Sequence, residues 1–485
     1  MDNQKSLTKS KIICTLGPAT STPEQIRKLT ELGMDCARID FSCGTINEKL
    51  SLFKNVRKAD DSIPIICELQ GPKIRIGKMQ KGGAVLHAGN SITITNKDVT
   101  GTSEKISITN KDLYEDLKQG DLFYINDGIV CLRIETISEE EMECTILSGG
   151  FISSRMGVNT PSLVFPFTVP TGQDIQDLWV IADLDPEFVA VSYVDTESDV
   201  LAVKKILIER GNDGIKLITK IDRPIALATF DTILEVSDGI MVARGDLGVE
   251  IPPEEVLPYQ KEMIRKCNIA GKPIIVATQM LESMVKSPMP TRAEISDVFN
   301  AIEDGADAVM LSAETASGEF PGEAVEMMER VIRVSEALIP QRDPDNYDSE
   351  HETTSEMIGH LVYSACKKLS DMQCKNGMII CLTHNGYTGR MVSKYRPSLP
   401  ILGITSHTRT AREMRLVWGI EPLLIPGLEG SEDSLTLIRR SVKACFEKDL
   451  IEHDETLIIA ANMLDRPSQT NMVAVFSAKD ILKDK

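Results

Sequence analysis

The sequence predicts an α/β chain made of a (β/α)8 barrel, a small β-barrel domain inserted into one of its loops, and a C-terminal α/β domain. Three observations point there. Short β-branched runs alternate with helical patterns, as in parallel βα units. Most of these runs are apolar almost throughout, as strands covered on both faces must be. Eight of them precede one polar, turn-rich stretch at Pro340–Glu352. An open doubly wound sheet is the alternative, but its Gly-x-Gly-x-x-Gly turn is absent.

The predicted barrel strands are Lys11–Gly17, Met34–Phe41, Ile63–Glu68, Phe188–Val194, Ile215–Ile221, Gly239–Gly245, Pro273–Gln279 and Ala308–Glu314. Helical patterns such as Thr22–Leu32 and Pro258–Ala270 lie between them. Roughly a hundred residues part the third strand from the fourth, far more than an ordinary crossover needs. Within that stretch Ser91–Thr95, Lys105–Thr109, Asp121–Tyr124, Ile129–Ile137 and Glu143–Leu147 read as short strands separated by Gly, Asn and Asp turns. The barrel is therefore assigned to residues 1–71 and 167–338, and the insert to 72–166. Because βα loops sit on the catalytic face, the insert is placed to act as a lid. Residues 353–485 form the last domain, with strands near Met378–Thr383, Ile401–Thr405, Pro422–Ile425 and Thr456–Met463 and a helix at Ser434–Glu447.

A chain of 485 residues exceeds what one hydrophobic core organises, which agrees with this division. Its formal net charge of −19 repels nucleic acid and anionic lipid, so neither is an expected partner. The start of the chain is polar, no apolar run is long enough to span a bilayer, and the eleven cysteines show no Cys-x-x-Cys pair. Reduced thiols and a cytoplasmic location are the expectation.

In such a barrel the chemistry collects at the C-terminal ends of the strands. There the sequence places Arg38 and Asp40, Glu68, Lys220 and Asp222, Arg244 and Asp246, Thr278 and Glu314. So many polar and charged groups on apolar strands are costly unless they pair or function. None of the six histidines falls in a barrel strand, which disfavours a histidine base or zinc site in the mouth. Asp222 and Asp246 are hard oxygen donors suited to Mg²⁺ or Mn²⁺. Lys220, two residues before Asp222, shares a strand face with it. An ammonium and a metal converging on one point suit phosphoryl or enolate charge. Glycine at 245 lets backbone N–H groups approach an anion.

The stretch Ser237-Asp-Gly-Ile-Met-Val-Ala-Arg-Gly-Asp-Leu-Gly-Val-Glu250 resembles the most specific signature of the pyruvate kinase family. Ala277-Thr-Gln-Met-Leu-Glu-Ser-Met284, Pro290-Thr-Arg-Ala-Glu294 and Met310-Leu-Ser-Ala-Glu-Thr-Ala316 match in the same order, and the likeness runs over nearly the whole chain. The resemblance implies transfer of a phosphoryl group from phosphoenolpyruvate to ADP in glycolysis, by a homotetramer. It gives Arg38 the transferring group and Lys220 the growing charge. Asp246 and Asp222 take Mg²⁺ (or Mn²⁺), and the Gly245 and Asp246 backbone takes the substrate carboxylate. Thr278 marks the site of enol protonation, and Arg75 the nucleotide phosphates.

The chain departs from that pattern in places. Arg38-Ile-Asp-Phe-Ser-Cys-Gly44 stands for the usual Arg-x-Asn-Phe-Ser-His-Gly, and Glu68-Leu-Gln-Gly-Pro-Lys73 for Asp-Thr-Lys-Gly-Pro-Glu. At the positions that hold K⁺ in potassium-requiring members stand Asp40, Ser42, Glu68 and Leu69. Leu69, Gln70 and Lys73 resemble the subgroup that works without K⁺. Lys73 is then expected to give Asp40 and Glu68 a permanent cationic partner, and K⁺ is not expected to be required. Asp222 replaces Glu and falls short by about 1.5 Å, one methylene. Met156 stands where many members have a lysine, with Arg155 beside it. In the last domain Thr383-His-Asn-Gly-Tyr-Thr388 resembles loosely the family's effector loop, with Thr383, Asn385, Gly386 and Thr388 available to a phosphate; an ordinary strand–helix turn is the alternative. Two other functions stay open: a weakly active or regulatory paralogue, and a metal-dependent lyase of the phosphoenolpyruvate-type barrels.

Overall fold

The computed structural model describes residues 8–110, 116–126, 128–161, 168–339, 353–372, 376–428, 434–462 and 469–483. The stretch Pro340–Glu352 and the junction at 166–167 lie outside them.

Eight parallel strands close into a barrel: Lys11–Thr15, Cys36–Asp40, Ile65–Glu68, Phe188–Val191, Lys216–Ile221, Gly239–Ala243, Ile274–Ala277 and Ala308–Leu311. Closure comes from the first strand pairing with both neighbours, Lys11 against Ala308 and Thr15 against Arg38. Alternation along each strand sorts the side chains into two cores. Ile12, Cys14, Ala37, Ile39, Ile65 and Cys67 face outward into the layer shared with the helices. Ile13, Cys36, Ile66, Ile218, Met241 and Ile275 fill the interior. Leu416 of the C-terminal domain is fully buried in that same interior cluster, so it plugs the bottom of the barrel.

All eight expected strands form, but most end two to three residues early. The reading of Gly239–Gly245 and Ala308–Glu314 as strands is corrected at their ends, where Arg244–Glu250 and Ala313–Ala316 are helical. Apolar periodicity carries no mark of the point where a strand turns into a helix. The helix Pro23–Leu32 begins after Thr22, whose hydroxyl accepts from Gln25 N–H while the Gln25 amide accepts from Thr22 N–H. The expected helix at Pro258 starts earlier, at Pro253.

The insert is a curled seven-stranded sheet with a two-stranded flap. Its end strands, Ile74–Arg75 and Lys105–Ser107, meet through a bridge between Ile76 and Ile108 and a Thr109 N–H bond to Arg75 O of 2.9 Å. Phe123, Ile125, Leu132 and Ile134 fill its own core. Several of its strands are only two or three residues long, such as Gly157–Asn159, and carry no readable alternation. The last domain has five strands in the order Ile420–Leu424, Ile401–Thr405, Gly377–Leu382, Thr456–Ala461, Met472–Ser477. The fifth, antiparallel strand is missed in the sequence because it is partly exposed on both faces, an edge rather than a core pattern. No helix among the described residues is long and apolar enough to cross a membrane, and the ten cysteines among them are free thiols.

The C-terminal domain is pinned beneath the barrel by charge. Arg396, itself buried, meets Asp307 at 3.1 Å, Asn268 Oδ1 at 2.7 Å and Gly305 O at 3.0 Å. Arg409 binds Asp185, and Arg412 reaches Glu187 at 3.1 Å. Glu413 faces Lys216 at 3.6 Å beside an interfacial cavity of about 380 Å³. Burial pushes the Glu413 carboxyl up to about 7 against the pull of Lys216, Arg409 and Arg390. A carboxyl whose folded pKa is raised contributes stability that is whole below the unfolded value. That contribution is lost as pH climbs from there through about 7. Glu413→Gln is therefore expected to stabilise the protein by roughly 2–3 kcal/mol at pH 8 and by little near pH 4.5. Denaturant titrations at the two pH values check this, and equal effects at both would remove Glu413 as the cause.

Candidate active site

The interior alternation that buries Cys36 and Ile66 brings Arg38 and Glu68 inward near the strand ends, with Asp40 paired to Glu68 across the sheet. The same step from Ile218 leads to Lys220 and then Asp222. These side chains meet at a cavity of about 130 Å³ walled by Arg38, Asp40, Ser42, Glu68, Lys73 and Arg75 on one side. Ser192, Tyr193, Lys220, Asp246 and Thr278 complete it. Its volume suits a small anion rather than a drug-sized ligand.

Glu68 is the hub of this site. Arg38 Nε donates to its Oε2 at 2.6 Å, and Lys220 Nζ lies 3.0 Å from its Oε1. Burial alone would raise the Glu68 carboxyl, but Arg38 and Lys220 outweigh it and hold the group at about 2. Arg38 also donates to Thr15 Oγ1 at 3.0 Å and Asp40 Oδ2 at 3.2 Å. Its five N–H groups thus leave donors to spare for a ligand. Lys220 donates to Ser192 Oγ at 3.0 Å and stands 3.2 Å from Asp222 Oδ1. Burial works against its charge, yet Asp222, Glu68 and Asp246 keep its pKa above the ordinary lysine value.

Lys73, on the segment entering the insert, donates to Asp246 Oδ1 at 2.6 Å. Asp40 and Glu68 are served by Arg38. This corrects the expectation that Lys73 partners those two acids. The sequence showed a lysine near them but not that the chain leaves the third strand towards Asp246. Burial would raise Asp246, but Lys73 and Lys220 bring it below the usual carboxylate range.

Asp222 and Asp246 differ sharply. Asp246 lines the cavity, whereas the Asp222 side chain is fully buried and outside the wall. Asp222 Oδ2 accepts from Tyr193 N–H at 2.8 Å, while Oδ1 has no hydrogen bond despite the nearby Lys220. Burial holds this carboxyl above its ordinary value. A buried carboxylate oxygen that accepts no hydrogen bond, with a cavity-lining carboxylate in the same site, fits a divalent cation that keeps open positions. Among the described residues no group of three or more His, Cys, Asp and Glu side chains is arranged to hold a metal ion by itself.

Thr278 takes φ +66°, Gln279 φ +54° and Tyr193 φ +61°. A left-handed β-branched residue is rare and strained, and such residues gather at functional sites. Arg244 secures the turn by donating to Thr278 O at 2.8 Å and pairing with Asp297 at 2.7 Å. Thr278 Oγ1 accepts from Gly245 N–H at 2.8 Å and donates to Ala277 O at 2.6 Å. The Gly245 N–H, expected for the substrate carboxylate, is thus engaged by Thr278. Arg75 is held by Arg155 O at 3.0 Å, while its buried Nε lacks a hydrogen-bond partner. The Met156 side chain packs against the insert's core. Glu314 receives the N–H groups of Leu281 at 3.1 Å and Ser312 at 2.7 Å, a bracing role away from the cavity.

Sequence reasoning missed Ser192, Tyr193, Thr15 and Asn159. The Tyr193 hydroxyl is 3.4 Å from Asp246 Oδ1, and Asn159 donates to Glu250 Oε1 at 3.0 Å. Being uncharged, none of them stood out, although Ser192 and Tyr193 fall within the expected strand Phe188–Val194 and directly follow the observed one, Phe188–Val191. Of the loop Thr383, Asn385, Gly386 and Thr388, the first three lie between a strand and the short helix Tyr387–Ser393, and Thr388 is in the first turn of that helix. Thr388 is buried, its hydroxyl accepting from Thr470 at 3.0 Å, and Asn385 Oδ1 accepts from Tyr387 N–H at 3.2 Å.

The family model described as pyruvate kinase, barrel domain, matches residues 7–325, and the one described as pyruvate kinase, alpha/beta domain, matches 360–476. The chain belongs to the pyruvate kinase family. Among relatives, the pyruvate kinase of Clostridium acetobutylicum is 38% identical over 481 residues, 96% of this chain and 99% of that one. That of Bacillus licheniformis is 37% identical over 484 residues, 98% of this chain and 81% of the longer relative. A crystal structure of a pyruvate kinase from Cryptosporidium parvum superposes with a TM-score of 0.85 at 34% identity, covering 99% of this chain and 98% of its own. The chain is thus a phosphotransferase of the pyruvate kinase family.

Proposed function

We propose that this enzyme transfers the phosphoryl group of phosphoenolpyruvate to ADP, giving pyruvate and ATP, as a cytoplasmic homotetramer in glycolysis. The observation that carries the reading is the gathering of Arg38, Lys73, Arg75 and Lys220 with Asp246 around one small cavity at the barrel mouth. Against Asp40, Glu68 and Asp246 in the same wall, these four cations leave a positive local balance in a chain of net charge −19, as capture of a trianionic substrate demands.

Arg38 holds the phosphoryl oxygens with the donors left over from Glu68, Thr15 and Asp40. Lys220, fixed by Glu68 and Ser192, meets the charge that grows on the phosphoryl group and on the enolate oxygen. Thr278 lies beside the carbon face where the enol takes its proton, in a strained turn that fixes its hydroxyl. Arg75, at the root of the insert, faces the nucleotide phosphates, and the insert acts as the lid over them. Asp246, with Asp222 behind it, would hold Mg²⁺ or Mn²⁺. When bound, that ion supplies positive charge to substrate oxygens. The C-terminal loop Thr383–Thr388 is the place offered to a phosphate-bearing effector.

A lactate-dehydrogenase-coupled assay tests the reading. NADH consumption should require phosphoenolpyruvate, ADP and Mg²⁺ together. No ATP formation at saturation would leave a regulatory paralogue or a lyase in its place.

The fixed ammonium of Lys73, 2.6 Å from Asp246 at the cavity wall, stands in for a recruited monovalent cation. Activity in tetramethylammonium buffer is therefore expected to be unchanged by K⁺, and a many-fold rise on adding it defeats this part of the proposal.

A further inference from the structure

We propose that Glu68 is a positioning residue, setting the separation of Arg38 and Lys220, and that its length is matched to the short Asp222 that shares Lys220 with it. The inference rests on the reaction proposed above. Three observations carry it.

Among the described residues Glu68 is the one carboxylate that touches both cations, with Oε2 at 2.6 Å from Arg38 Nε and Oε1 at 3.0 Å from Lys220 Nζ. Lys220 Nζ also lies 3.2 Å from Asp222 Oδ1, just past the end of its own strand, so two acids from different parts of the barrel mouth share one ammonium. Both acids are buried, Glu68 at 5% exposure and Asp222 at 0%, so neither can lengthen its reach by moving into solvent.

The two departures in the sequence run in opposite senses. Relative to the motif it resembles, this chain has one methylene more at Glu68 and one fewer at Asp222. The methylene has in effect moved from one acidic partner of Lys220 to the other, and the ammonium keeps ordinary ion-pair distances to both. Shortening Glu68 alone withdraws its carboxylate by about 1.5 Å from Arg38 and Lys220 together. Lengthening Asp222 alone forces an extra methylene into a space with no exposure, and close-packed interiors resist that. Each change by itself is harmful, and the pair restores the shared contact.

Four proteins test this: the parent enzyme, Glu68→Asp, Asp222→Glu and the double variant. Each is measured for kcat, KM for phosphoenolpyruvate, Mn²⁺ affinity without substrate, and thermal midpoint. Glu68→Asp is expected to lower kcat by about 10–100-fold, as loss of a group that orients the reacting shell does, with Mn²⁺ affinity unchanged. Asp222→Glu alone is expected to lower kcat and the midpoint. The double variant should recover most of both losses, a coupling that independent sites do not show. Multiplied single losses in the double, or a fall in Mn²⁺ affinity for Glu68→Asp, would overturn the inference. If Asp222→Glu does not fold, the double is compared with Glu68→Asp, and a double no more active than that single overturns it. The midpoints need no substrate, so they report the shared contact even if the parent enzyme forms no ATP, an outcome that would sink the reaction instead.

Discussion

Lys220→Ala is expected to lower turnover by about 10²–10³ or more, with the barrel still folded. The ammonium is buried, bonded to Ser192 and paired with Glu68 and Asp222, so it is preorganised and needs no reorientation as charge moves. Its raised pKa keeps it charged throughout the working range, so the loss should be independent of pH between 6 and about 9. Removing it leaves Glu68 with Arg38 alone and Asp222 without a cation, which costs stability too. Thermal melting must therefore accompany the kinetics. A folded variant with near-parental kcat would remove Lys220 from the chemistry.

Asp246→Asn should be comparably damaging, by about 10²–10³ in kcat, because the proposed metal ligand and the partner of Lys73 are lost in one step. The amide keeps the shape of the carboxylate but not its charge, so the cavity gains one net positive charge. Mn²⁺ affinity without substrate, measured by calorimetry, is expected to fall by at least about tenfold. Because Lys73 and Lys220 hold Asp246 below the usual carboxylate range, the parent site stays ionised on acidification longer than a free aspartate would. The depressed pKa also contributes stability that is present above the unfolded value and lost as pH falls through the folded one. Asn should abolish that acid sensitivity. Unchanged Mn²⁺ affinity in the variant would move the metal away from Asp246.

Much of this was legible in the chain because charge on an apolar strand has no bland explanation. Arg38, Glu68 and Lys220 stand at strand ends in the sequence and line the cavity in the fold. The inserted domain announced itself by the length of one connection, and the eight strands by their β-branched runs. What was missed is of another kind. Tyr193 and Ser192 are ordinary residues in sequence and become part of the wall only because the fourth strand ends beside the fifth. The edge strand Met472–Ser477 and the tiny strands of the insert lack an alternating pattern to read.

The sequence by itself determined the βα order, the three-part layout and the identity of the charged set, because each follows from local periodicity or from the cost of burying charge. Only the tertiary structure decided who pairs with whom. Lys73 meets Asp246 while Arg38 serves Asp40 and Glu68, and Asp222 sits behind the wall instead of in it. Partnership depends on distances of a few ångströms between strands far apart in the chain, and closure of the barrel fixes those distances where residue spacing along the sequence cannot.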